Sequence, residues 1–153
     1  MSEDKKLNNA KKVVEILGKV EKSSKVLLLS DHETEKNRKY LTSSLEDTNC
    51  TFKHIQIETA KSHGSELPEK IAEEMKLVDL VIGLTKGNIT HTKARKDAQK
   101  VGVHVIALPE SHLDNFFLAN GWNCDFEKTK PQIERLARAL TDADIARVHT
   151  QDG

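Results

Sequence analysis

Short apolar runs alternate along this chain with stretches in which apolar residues recur at helical spacing. Continuous apolar runs rich in β-branched residues are typical of strands in a parallel sheet that is buried on both faces. Five segments fit a strand: 25–30, 51–57, 79–84, 104–108 and 145–150. Strands that alternate with helices predict an α/β fold, a three-layer sandwich with a mostly parallel five-stranded sheet of Rossmann-like or flavodoxin-like type. We expect the strand order 2-1-3-4-5, with 3-2-1-4-5 as the alternative.

The same spacing predicts the helices and the domain organisation. An amphipathic stripe runs from Leu7 to Leu17, so we expect residues 1–24 to contain an N-terminal helix that packs on the domain. Residues 25–153 are expected to form a single α/β domain. Another amphipathic helix is predicted at about 130–140, just before the last strand.

Residues 78–109 read as strand, helix and strand, which is a βαβ unit around which the fold is organised. Ligands of such folds bind at the carboxyl ends of the strands, where loops meet helix N-termini. Seven polar side chains are therefore the candidates to line a ligand site or cleft: Asp31, Thr85, Lys86, Asn88, Thr90, His91 and Arg95.

Two interpretations of the central helix N-terminus remain open. Asn88 or Thr90 is placed to cap the helix by accepting a hydrogen bond from a free backbone N–H group. The same N–H groups also suit an anion, with Lys86, Lys93 and Arg95 nearby. Neither a dinucleotide fingerprint nor a P-loop occurs, so nucleotide binding has no motif to support it.

Histidines and carboxylates also follow the predicted strands, which is a pattern compatible with metal ligation. The residues are His32, His91, His112, Asp31, Glu33 and Glu110. None of these histidines has a partner at the helical i, i+4 spacing of a metal site, and isolated loop histidines are commonly surface residues. We therefore predict neither a metal ligand nor a catalytic residue in this chain.

Composition narrows the class of protein. The 24 basic and 24 acidic residues give no net charge, which argues against nucleic acid or a membrane surface as the partner. The N-terminus is too charged for a secretory signal, and no apolar run is long enough to span a membrane. Cys50 and Cys124 are isolated in sequence and are expected to be reduced packing residues, so we expect a cytoplasmic protein.

One stretch carries a family resemblance. The segment VDLVIGLTKGNITHTKARKDAQKVGVHVIALPE, with its His91-to-Arg95 motif followed by Ala98 and Gly102, resembles the N-terminal region of leucyl aminopeptidases of the aminopeptidase T and aminopeptidase S type. KVLLLSD and LARALTDADIARVHT lie where that family has equivalents, so the resemblance covers nearly the whole chain from Lys25.

The resemblance implies a two-domain metallopeptidase, or a relative that cleaves rings or acts on other substrates. In that family the divalent metal, zinc or cobalt, is bound by a C-terminal catalytic domain. That domain would follow this chain and would be its partner, so no metal ligand is transferred to these residues and the chain alone is expected to be inactive. A stand-alone small-molecule or anion-binding domain of flavodoxin-like type is the alternative. A structural module that forms homodimers is a third class.

Overall fold

The structure is a computed structural model that describes residues 2–150, which form two compact units, 2–122 and 123–150. The strands are β1 (Lys25–Asp31), β2 (Thr51–Ile57), β3 (Leu80–Leu84) and β4 (His104–Leu108). The α-helices are α1 (Ser2–Lys11), α2 (Glu35–Thr48), α3 (Glu69–Met75), α4 (Lys93–Lys100) and α5 (Phe126–Asp142). A π-helix, Lys12–Leu17, continues α1, and 3₁₀ turns lie at His32–Thr34, Phe116–Leu118 and Asn120–Asn123.

The sheet is parallel throughout, with the order β2-β1-β3-β4. This confirms the predicted α/β class and the predicted order of the first four strands. The two central strands, β1 and β3, are buried at nearly every position, whereas the edge strand β2 alternates between half-buried and exposed residues. The less uniform apolar pattern of β2 therefore predicts its position at the edge of the sheet correctly.

The predicted fifth strand is wrong, because the described part of the chain contains a four-stranded sheet. Residues 145–150 have no regular secondary structure. Ile145 and Val148, the large apolar side chains of this segment, are 72% and 86% exposed. Without burial of these side chains, little offsets the conformational entropy that a strand would lose.

Helices cover both faces of the sheet, as the sandwich prediction required. On one face, Val26 and Leu28 of β1 pack with residues of α1, the π-helix and α2. On the other face, Leu27 and Leu29 pack with residues of α3 and α4, among them Met75. Because successive side chains of a strand point to opposite faces, one apolar run supplies both cores.

The first helix is held to the first unit by polar and aromatic contacts as well as by the core. The buried amide of Asn9 donates to the Phe117 carbonyl over 2.8 Å. The Phe117 ring lies in a cluster with Tyr40, Phe116 and Trp122. Each aromatic side chain buries a large apolar area, so this small cluster stabilises the first unit strongly.

The second unit contains α5, which begins earlier than the pattern predicts. Asp125 caps it by accepting from the backbone N–H of Lys128 over 3.0 Å, so Pro131 lies inside the helix and not in its first turn. The predicted apolar stripe is present. Its members Ile133, Leu136 and Leu140 are between 55% and 62% exposed, so the second unit does not bury this stripe with its own residues.

Gly83 of β3 allows the buried side chain of Ile89 to lie against the sheet, because a β-carbon at this position would overlap the end of that side chain. We expect Gly83→Val to lower the free energy of unfolding by about 1–3 kcal/mol, the usual cost of overpacking. Urea denaturation measures this change. Gly121→Val is the matched control, since no atom lies within 4 Å of a β-carbon built there. Equal unfolding midpoints for the two variants would contradict this packing.

Candidate functional site

The carboxyl edge of the sheet gathers the loops that follow β1, β2 and β3. From β1 the chain moves outward to β2 and then returns to the other side of β1 as β3. This change of direction makes the gap between β1 and β3 the topological switch point, where open α/β sheets bind ligands. Most of the predicted site residues lie on the loops at this point.

Asp31 ties two of these loops together. Its side chain is 1% exposed, and its carboxylate accepts from the backbone N–H groups of Lys86 over 2.7 Å and of Glu33 over 3.1 Å. Backbone donors satisfy a buried carboxylate well, and each oxygen here has one. Asp31 therefore acts as a buried link between the β1 and β3 loops.

Thr85 and Lys86 are also engaged within the fold. The Thr85 hydroxyl is buried and donates to the Gly87 carbonyl over 2.6 Å. The Lys86 ammonium donates to both oxygens of Glu33, over 2.8 and 2.9 Å, and these hydrogen bonds raise the pKa of Lys86. The charge of Lys86 is thus compensated by its neighbour.

The remaining predicted residues lie along the β3–α4 loop. Asn88 accepts from the Thr90 backbone N–H over 2.8 Å, which forms an Asx turn. Arg95 donates through Nε to the Thr90 carbonyl over 2.6 Å and through Nη1 to Gln99. His91 is exposed. These contacts hold the loop in shape and leave His91 facing solvent at the sheet edge.

The predicted capping residue is wrong, because α4 begins later than the pattern suggested. Thr92, and neither Asn88 nor Thr90, is the cap, accepting from the Arg95 backbone N–H over 3.2 Å. The apolar residue Ile89, three positions before Thr92, belongs to the loop and packs on the sheet.

Glu66 occupies the place that an anion would take at this helix end. Its carboxylate accepts from the backbone N–H groups of Lys93 over 2.7 Å and of Ala94 over 3.1 Å. Burial raises the pKa of Glu66, but the hydrogen bonds from Lys93, Ala94 and Leu67 outweigh it, so the pKa is lowered overall. Nothing in the sequence near α4 indicated this partner, because it lies 27 residues before Lys93.

Two of the four basic residues of α4 form ion pairs within the helix. Asp97 pairs with Lys93 and with Lys100, and the hydrogen bonds from these two lysines lower the pKa of Asp97 to about 2. Together with Glu66, this acidic residue reduces the positive field that would attract a phosphate.

A cleft of about 490 Å³ opens beside the switch point, toward β2. The strands and loops of the carboxyl edge form its floor, and residues 58–61 and 65–68 with the start of α3 form its wall. Among the predicted site residues, Asp31, Thr85 and Asn88 line it. Lys86, Thr90, His91 and Arg95 are not part of its lining. Sequence reasoning missed the residues after β2, which looked like an ordinary polar loop.

The histidines near the carboxyl edge make separate contacts. His112 lies 3.6 Å and His63 lies 3.4 Å from the two oxygens of Glu110, while His32 contacts Gln56. His63 accepts from the Asn88 backbone N–H through Nδ1, so in its neutral form its Nε2 carries a proton and is unsuited to bind a metal. Within residues 2–150, no group of three His, Cys, Asp or Glu side chains is arranged to hold a metal ion. Nor does any helix of this range have both the length and the apolar character to cross a bilayer.

Comparison with known proteins adds information about the fold. No family model and no curated protein matches this chain. The chain is similar to the solved structure of 2,5-dihydroxypyridine dioxygenase from Pseudomonas putida KT2440, with 11% sequence identity and a TM-score of 0.53. The match covers 65% of this chain and 32% of the dioxygenase chain, so it spans about a third of that enzyme. At this identity the likeness shows the shared α/β fold.

The role of Glu66 gives a pH-dependent prediction. Because its folded-state pKa is lowered, its contribution to stability is present above the unfolded-state pKa and is lost as the pH falls through the folded-state value. We expect Glu66→Gln to lower the free energy of unfolding by about 0.3–1 kcal/mol at pH 7, with the difference from the parent protein shrinking below about pH 4. Urea denaturation across this pH range measures the effect. Glu21→Gln, at an exposed position, is the control, and an equal loss there would contradict a specific role for Glu66.

Proposed function

We propose that this chain is the N-terminal α/β domain of an aminopeptidase-like metallohydrolase and is not catalytically competent by itself. The observation that carries the proposal is that its fold matches about a third of a longer enzyme, which is what a domain of a larger catalytic chain would do. The His91-to-Arg95 segment at the start of α4, which resembles the aminopeptidase family, adds support from the sequence.

The identity of the substrate is a separate part of the proposal. The resemblance extends to relatives that act on rings, and the solved structure is named for a dihydroxypyridine substrate. Both a peptide and a small cyclic compound are therefore substrates to test for the complete enzyme. In either case this domain contributes a wall at its carboxyl edge, where the exposed His91 lies.

The metal belongs, in this proposal, to a C-terminal domain that binds zinc or cobalt. Metal-assisted hydrolysis needs an ion held by several protein ligands with one position open. The described residues do not fit this requirement: the Glu110 carboxylate lies between His63 and His112, and His63 is committed to the Asn88 backbone. We therefore assign no step of the reaction to an ion bound by this chain.

The apolar face of α5 supports a protein partner. Ile133, Leu136 and Leu140 lie on one side of this helix and remain more than half exposed. Because each side chain is already partly covered, burying the remainder contributes roughly 1–2 kcal/mol for each, which favours an interface over solvent. We propose that the C-terminal domain packs there, and a homodimer is the alternative occupant.

The second candidate function is that of a stand-alone small-molecule binder, and the cleft beside β2 favours it. Its volume of about 490 Å³ lies in the range of ligand sites, roughly 300–1,000 Å³. Anion binding at the N-terminus of α4 has less support, because Glu66 already accepts from its backbone N–H groups and Asp97 pairs with Lys93 and Lys100.

Activity and metal binding of the purified chain test the leading proposal. We expect no turnover of a leucyl chromogenic amide with added zinc or cobalt, and no stoichiometric heat of metal binding in calorimetry. A complete leucyl aminopeptidase in the same buffer controls for the assay. Turnover that a chelator abolishes, and that returns when the metal is restored, would contradict the proposal.

A further inference from the structure

We propose that the cleft beside β2 binds a small organic carboxylate with a compact apolar body. This inference rests on the second proposed function, that the domain binds a small molecule, and it identifies the chemical class of that molecule. The volume of the cleft, its apolar wall, its fixed shape and its available polar groups each support this ligand class.

The wall of the cleft is apolar over much of its area. Ile71 of α3 and Ile89 of the β3–α4 loop are 9% and 3% exposed and pack into the two sides. Ile57 at the end of β2, with Ala60 and Leu67 beyond it, completes the apolar lining. Such a surface selects a ligand with a hydrocarbon body, because a fully hydrated ion gains nothing from it.

The segment that closes the cleft is fixed in place by the β3–α4 loop. The Gly64 backbone N–H donates to the Asn88 carbonyl over 2.8 Å, and the Asn88 backbone N–H donates to His63 over 3.1 Å. Ala60 lies so close to Gly87 that a β-carbon at Gly87 would approach it to 2.8 Å. A cleft that is already formed loses little conformational entropy when a ligand binds.

Three polar side chains of the lining already have partners within the fold. Both oxygens of Asp31 accept from backbone N–H groups, and so do both oxygens of Glu66. The Thr85 hydroxyl donates to a backbone carbonyl. These groups shape the floor and are not available to recognise a ligand.

The polar groups of the lining that remain available include three donors. Among residues 2–150, the Nδ2 amide of Asn88 and the ammonium groups of Lys61 and Lys70 have no hydrogen-bond acceptor or acidic partner. The unengaged acceptors of the lining are the Glu58 carboxylate and Gln56 Oε1, and the Thr59 hydroxyl can donate or accept. A ligand group that accepts hydrogen bonds fits the three donors, and a carboxylate that binds at the two ammonium groups also gains charge attraction.

A set of probes with one apolar body separates the chemical classes. The probes are 4-methylpentanoate, 4-methylpentylamine, 4-methylpentan-1-ol and 4-methylpentanamide, with inorganic phosphate as an anion that lacks the body. Backbone amide shifts in NMR titrations report both the site and the affinity. We expect 4-methylpentanoate to shift the amides of Ile57, Ala60 and Ile89 and to bind about tenfold more tightly than the other probes.

Charge variants test the recognising groups. Lys61→Gln combined with Lys70→Gln is expected to weaken 4-methylpentanoate binding about fivefold, since each exposed ion pair is worth a factor of about two to three. Lys5→Gln combined with Lys96→Gln is the matched control, because these lysines are exposed and lie outside the cleft. Equal weakening by both pairs would overturn the assignment to Lys61 and Lys70.

The outcomes distinguish this inference from the function on which it rests. Binding of the amine or the alcohol in the cleft, as tight as that of the carboxylate, overturns the ligand class but leaves a small-molecule binder. Shifts with phosphate alone also overturn the class, because they remove any role for the apolar wall. No shift at the cleft with any probe overturns both the ligand class and the small-molecule function.

Discussion

The carboxylate of Asp31 is the interaction on which the carboxyl edge of this sheet depends. It lies buried at the end of β1 and accepts from backbone N–H groups on its own loop and on the loop after β3. The loop after β4 joins the same arrangement, because the Ser111 hydroxyl donates to the Thr85 carbonyl over 3.1 Å. A buried charge is tolerated only when its hydrogen bonds are complete, so Asp31 fixes two loops, and the contact of Ser111 with Thr85 adds the third.

The cleft follows from a second carboxylate, that of Glu66. By accepting from the first N–H groups of α4, it holds the far end of the segment between β2 and α3 against the β3–α4 loop. Residues 58–61, at the β2 end of that segment, form part of the wall of the cleft. The Glu66 carboxylate thus occupies the position where an external anion would bind at the N-terminus of α4. The candidate binding site is instead the cleft beside β2.

The same structure suits a domain that is part of a larger enzyme. The sheet edge offers a preformed cleft and an exposed histidine, His91, and the second unit carries the apolar stripe of α5. Neither feature requires a metal held by this chain. The proposed two-domain arrangement and the proposed small-molecule cleft are compatible, because residues of the first unit form the cleft and the apolar stripe of α5 belongs to the second unit.

The sequence by itself determined the four strands, their parallel order and the two-faced burial of β1, because runs such as Val26 to Leu29 gain stability only between two helical layers. It also placed Asp31, Thr85 and Asn88 at the carboxyl edge. Tertiary structure alone decided that Glu66 accepts from the first backbone N–H groups of α4 and that residues 145–150 form no strand. Both outcomes depend on whether groups distant in sequence make contact. The local spacing of apolar and polar residues does not predict such contacts.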